Sequence, residues 1–139
     1  MLALQGKLAR VYTASRQLIG GDDFNNHSAQ LNSENSNNLT ATVGGGQANA
    51  LQLIAANNTI AIVANANDSI KLPKGHSGLN IWVTNAGGAS MQVFTFGKGT
   101  INGTDGLATG VAQANNANTA TLYHCMRIDA TIGDIWVTK

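Results

Sequence analysis

Charge is what this sequence has least of. Asp, Glu, Lys and Arg make up 11% of its 139 residues, less than half the share of roughly 25% in an ordinary globular domain. The net charge is +1 and the eight basic residues are scattered, so no basic stripe is present to neutralise a run of phosphates, and nucleic acid is not expected as a partner. The single cysteine, Cys125, excludes an internal disulfide, and nothing in cysteine usage points to an oxidising compartment. No apolar run approaches the length of about 18 residues that a membrane span needs. In the opening "MLALQGKLARVYTASRQ", Lys7 and Arg10 interrupt the apolar residues before the core of a secretory signal can form, so export by the general pathway is not indicated.

The place of charge is taken by Asn, Thr, Ala and 16 glycines, while 43% of the chain is hydrophobic. That is enough apolar material for one domain with a proper core. Small polar side chains cost less to desolvate than Lys or Glu. The surface they make suits either close contact with other chains or a soluble β-domain of unusual composition.

The chain divides near residue 39. Upstream, Leu4, Leu8, Val11, Ser15 and Leu18 recur at helical spacing, which permits a short helix without demanding one. Residues 20–38, "GGDDFNNHSAQLNSENSNN", are rich in turn formers. Residues 1–38 therefore read as an N-terminal arm and polar linker, and 39–139 as the folded domain. Downstream, short apolar runs are separated by Gly, Asn and Asp: 39–43, 50–55, 59–64, 70–72, 79–85, 91–96, 119–126 and 134–139. About eight short strands at this spacing predict an all-β fold, a small β-sandwich or β-barrel of jelly-roll type. Alternation predicts Ile60, Ile62 and Ala64 on one face of their strand. Residues 106–118 read equally as strand or ordered loop, and no repeat of 20–50 residues stands out.

No reacting group emerges. His27, His76 and His124 are far apart and fall in no ligand-spacing motif, so neither metal nor cofactor is expected. His124 and Cys125 are adjacent, but neighbours on a strand point to opposite faces, so they cannot act as base and nucleophile together; Cys125 reads as a small buried hydrophobe. The seven acidic residues are Asp22, Asp23, Glu34, Asp68, Asp105, Asp129 and Asp134. Asp68, Asp105 and Asp134 sit among turn formers, where Asp satisfies nearby backbone amides; no carboxylate pair for glycoside hydrolysis is identified. "GKGTINGTDG" (97–106) lacks the order of a phosphate loop, and Asn102-Gly103 is instead a dipeptide of tight turns. The enzyme class is not expected.

Trp82, Phe94 and Phe96 fall on the strand pair of "GLNIWVTNAGGASMQVFTFGKGTING" (78–103). Read as a hairpin, that pair places the three aromatics on one face, opposite Leu79, Ile81, Val83, Met91 and Val93. Such a second apolar face needs its own cover, from the same domain or from a neighbouring subunit.

The succession "NALQL", "DSIKLPKGHSGLNIWVTNAGGASMQVFTFGKGTING", "GVAQANNANTATLYHC" and "DIWVTK" resembles a recurrent β-rich domain of virion proteins in tailed bacteriophages, over residues 47–138. The resemblance implies a structural virion protein, most like a small capsid decoration or cement protein. Such a protein would be a homotrimer on the outside of the head, bridging units of the major capsid protein and assembled in the host cytoplasm. On this reading the arm contacts the capsid through Leu2, Leu4, Leu8, Val11 and Tyr12, with Lys7 and Arg10 meeting acidic capsid residues, and Trp82, Phe94 and Phe96 serve self-association. The alternative is a head- or tail-fibre tip module that binds host surface glycans through Trp82 or Trp136.

Overall fold

A computed structural model of the chain describes residues 11–12, 18–19, 35–109, 111–113 and 119–139. Strands and turns account for them, with no helix among the described residues. β1 (Val11–Tyr12) and β2 (Leu18–Ile19) pair antiparallel as a short ribbon. The helical spacing of Val11 and Leu18 is therefore not realised, since the backbone is extended at both.

The domain is an all-β sandwich. Its strands are β3 (Asn35–Thr40), β4 (Leu51–Gln52), β5 (Asn57–Ile62), β6 (Ser69–Lys71), β7 (Asn80–Asn85), β8 (Met91–Phe94), β9 (Gly99–Ile101), β10 (Thr104–Asp105), β11 (Val111–Gln113), β12 (Thr119–Asp129) and β13 (Gly133–Thr138). They form a seven-stranded sheet, β10-β9-β13-β12-β7-β5-β3, and a four-stranded sheet, β11-β8-β6-β4. Each of the eight apolar runs overlaps a strand. The three further strands, β9 to β11, come from the glycine-rich stretch 97–106 and from the undecided segment after it. β3 begins at Asn35, so the sheet takes four residues from what reads as linker.

The connectivity is what the sequence pattern conceals. From β3 to β9 the chain crosses to the other sheet at every step, so strands adjacent in sequence never pair. Strands two apart do: β3–β5 and β5–β7 in one sheet, β4–β6 and β6–β8 in the other, all parallel. The polypeptide thus winds around the core. Asn35 lies beside Asn57 and Asn57 beside Trp82, Leu51 beside Ile70 and Ile70 beside Val93, so one winding takes 19 to 25 residues. This repeat is one of backbone path, without recurring residues, and that is why no period is visible in the text. A jelly roll pairs its strands antiparallel; here, among the strands of the sandwich, the antiparallel pairs are β7–β12, β12–β13, β8–β11 and the β9–β10 hairpin. That hairpin turns on Asn102 and Gly103, both at positive φ (52° and 81°), as an Asn-Gly turn requires.

Successive windings are stacked at their corners. Ala41 N–H donates to Ile62 O, Ala86 N–H to Ile60 O, and Gly88 and Ala89 N–H to Val63 O. The corner at 86–89 approaches the previous one so closely that a Cβ on Gly87 would lie 2.4 Å from the backbone nitrogen of Val63. Asn85, fully buried, ties this corner down: its Oδ1 accepts from Gly87 N–H and its Nδ2 donates to Ala89 O.

Inside lies one core. Ile60, Ile81, Val83, Ile101, Tyr123, Cys125 and Trp136 face it from the seven-stranded sheet, and Ile70, Met91 and Val93 from the four-stranded one. The strand 59–64 departs from simple alternation: Ile60 is buried, Ile62 is 56% exposed, and Val63 is buried. The alternation breaks where β3 shifts register along β5, and Val63 then turns inward at the corner.

Candidate functional site

Because β7 and β8 belong to different sheets, the stretch 78–103 is not a hairpin. The proposed common face of Trp82, Phe94 and Phe96 does not exist. Trp82 is on the outward face of the seven-stranded sheet, 45% exposed. Phe94 points away from the core from the four-stranded sheet, yet is only 3% exposed. The loop 43–50 lies over it: Gly44, Gly45 and Gly46 share a cleft of about 480 Å³ with Phe94 and Gln92, and Gln47 Nε2 donates to the carbonyls of Thr95 and Phe96. Phe96 follows β8 and is 46% exposed. Trp136 is completely buried, so it cannot stack on a sugar.

What the structure does assemble is a different surface. On the outward face of the seven-stranded sheet, Trp82 of β7 stands opposite Leu122 of β12, and His124 of β12 opposite Val137 of β13. Beyond them Ile135 of β13 stands opposite Arg127, and the bulge between Cys125 and Arg127 turns Met126 out to solvent. Asn80 closes one side, its Oδ1 2.7 Å from His124 Nδ1. Of these residues only Trp82 and His124 were singled out from the sequence. Leu122, Ile135 and Val137 read there as ordinary strand residues, and only the pairing of β7, β12 and β13 brings them together.

Asp68 and Asp105 are committed to local backbone, as their turn-forming context predicts; Asp129, not singled out from the sequence, is used in the same way, whereas Asp134 bonds a backbone amide 59 residues away. Asp68 Oδ2 accepts from Ala64 N–H (2.7 Å) and Asn65 N–H (3.0 Å). Asp105 Oδ1 accepts from Leu107 and Ala108 N–H, and Asp129 Oδ1 from Thr131 and Ile132 N–H. These amide donors favour the ionised form and hold all three below the ordinary aspartate value. Asp134 Oδ2 accepts from Gly75 N–H at 2.7 Å. Cys125 is buried as expected, and that burial, with the Asp134 charge second, pushes its thiol up to about 11. Its thiolate is thus unavailable near neutral pH. Among the described residues no three of His, Cys, Asp and Glu gather as a group able to hold a metal.

Leu2, Leu4, Lys7, Leu8 and Arg10 of the predicted arm contact lie outside the described residues, as do Asp22, Asp23, His27 and Glu34. Val11 and Tyr12 are in β1, where the backbone alone is described. The chain matches no family model, no curated protein and no solved structure.

Proposed function

We propose that this protein is a structural virion component that binds the outer surface of a phage head and stabilises it, acting as a self-associated oligomer, with three copies the number that the resemblance implies. The observation that carries the assembly reading is the outward sheet face. Trp82, Leu122, Val137, Ile135 and Met126 form an apolar surface on a domain with little charge, and contiguous surfaces of that kind mark contact sites. The step from assembly to a phage head rests on the resemblance of residues 47–138. Binding that occurs only on the closed shell stabilises the shell by mass action. Asp68, Asp105 and Asp129 serve turns and Asp134 ties down Gly75, which is a scaffold's use of carboxylates.

The test is co-sedimentation of the purified chain with undecorated heads. A fixed number of copies per shell, together with greater heat resistance of the shell, is the expected result; free protein in the supernatant at every concentration overturns the reading. One observation favours glycan binding instead: Trp82 is exposed beside Asn57 on β5 and near Asn80, an aromatic platform with amide neighbours. That reading expects saturable sugar binding, lost in Trp82→Ala with the fold intact.

A further inference from the structure

Of the chain's many asparagines, Asn102 alone is followed by glycine. Glycine has no side chain to shield its own main-chain nitrogen, so that nitrogen can close onto the carboxamide of the asparagine before it and expel ammonia. The reaction needs no enzyme and no co-reactant but water. Whether it proceeds depends on where the fold holds the carboxamide, and at Asn102 the structure fixes that position.

Asn102 and Gly103 form the tip of the β9–β10 hairpin, and the Asn102 carboxamide is held at both ends by one residue. Its Oδ1 accepts from Thr138 N–H at 2.9 Å and its Nδ2 donates to Thr138 Oγ1 at 2.7 Å. Asn102 N–H in turn donates to Trp136 O at 2.9 Å. β9 pairs with β13 as far as Ile101 and Trp136, and beyond that point the Asn102 side chain stands in for a strand, matching acceptor to donor and donor to acceptor along β13. Ring closure requires the carboxamide to swing away from Thr138 onto the amide of the next residue. Both bonds to Thr138 must therefore break first. The nearby Asp105-Gly106 pair could close a ring of the same kind, but it is committed elsewhere: Gly106 N–H donates to Gly99 O at 2.9 Å, and Asp105 Oδ1 accepts from Leu107 and Ala108 N–H.

We propose that Asn102 is a site of spontaneous deamidation whose rate is set by release of its carboxamide from Thr138. In the step itself the Gly103 nitrogen bonds to Asn102 Cγ, the Cγ–Nδ2 bond breaks, and the Gly103 amide proton leaves with Nδ2 as ammonia. Water then opens the resulting succinimide at either carbonyl, giving aspartate or isoaspartate. Isoaspartate carries the main chain through the former side chain, so it lengthens a turn that needs a two-residue connection and leaves no carboxamide to lie along β13. Aspartate keeps an acceptor for Thr138 N–H, loses the Nδ2 donor and adds a negative charge. Either product loosens the tie between the β9–β10 hairpin and the last strand, and neither returns to asparagine. The inference goes beyond the proposed function and does not depend on it, since every group it uses belongs to this chain.

The experiment is peptide mass mapping of the full chain after incubation at mildly alkaline pH, folded and in urea, with digestion in acid so that the digest adds no conversion of its own. Conversion at Asn102 is read as the mass gain of amide to acid, and isoaspartate by its separate elution. The expected result is conversion in urea that begins at Asn102 and is slower by roughly tenfold or more in the folded protein, since reaction then waits for local opening. Thr138→Val, which removes the Oγ1 acceptor at nearly constant shape, is expected to convert faster than wild type while circular dichroism shows the fold intact. Thr138→Ser, which keeps the hydroxyl, is expected to match wild type. Equal rates at Asn102 in folded and urea-held wild type, earlier conversion at another asparagine in urea, or equal rates in the two folded Thr138 variants overturn the inference. If Thr138→Val does not fold, the comparison of folded with urea-held wild type decides alone.

Discussion

Asp68, Asp105 and Asp129 behave as small clamps on the turns that follow or precede them, and this has a pH consequence. Their native values lie below the ordinary 3.8, so the stabilisation they give is fully present above that value. It is lost as pH falls through the lowered native values, because the unfolded chain then binds protons first. Thermal midpoints measured across buffers are expected to stay level from neutral pH down to the ordinary aspartate range and to fall below it. Replacing all three by Asn is expected to flatten that acid limb. Cys125 gives a second check: a thiol-specific alkylating reagent at neutral pH is expected to leave the folded protein unlabelled and to modify it fully in denaturant, since the thiol is both buried and raised to about 11. The cysteine's burial was legible in the sequence, from a lone cysteine in an apolar strand, and so was the use of Asp68 and Asp105 among turn formers; the clamp at Asp129 and the distant partner of Asp134 were not. The exposures of Phe94 and Trp136 were not, because covering by the loop 43–50 and burial between two sheets are decided by residues far away in the chain.

The strands themselves were legible, and their pairing was not. Alternation specifies that a run is extended and which residues share a face, but a strand in a hairpin and a strand that crosses to the other sheet carry the same alternation. The connection 86–90 reads as a hairpin turn, and only the contact with Val63 shows it to be a corner of a stack. Glycine is what allows this contact. Gly87→Ala would push a methyl against backbone, and is expected to destabilise the domain by about 2–3 kcal/mol in urea unfolding, the usual size of an overpacking penalty. Gly45→Ala, in a loop where a Cβ meets nothing within 4 Å, is expected to change stability by no more than about 0.5 kcal/mol. Equal effects at the two positions would show that the corners are not close-stacked.

Among the described residues the outward face around Trp82 is an exposed apolar surface, and the resemblance implies that the N-terminal segment contacts the capsid. Reversing both basic residues of that segment, Lys7→Glu with Arg10→Glu, is expected to weaken binding to undecorated heads by roughly tenfold or more, as loss and reversal of complementary charge does. The oligomer measured by sedimentation velocity is expected to be unchanged in that variant. By itself the sequence determined the class of the protein: all-β, low in charge, without an internal disulfide, and with Asp68 and Asp105 spent on turns. These follow from local chemistry, in which each residue's type and its few neighbours are sufficient. Which strands lie side by side and which apolar residues are left outside were decided only by the tertiary structure. Those properties depend on pairings 19 to 25 residues apart and longer, and no local pattern encodes the partner of a strand.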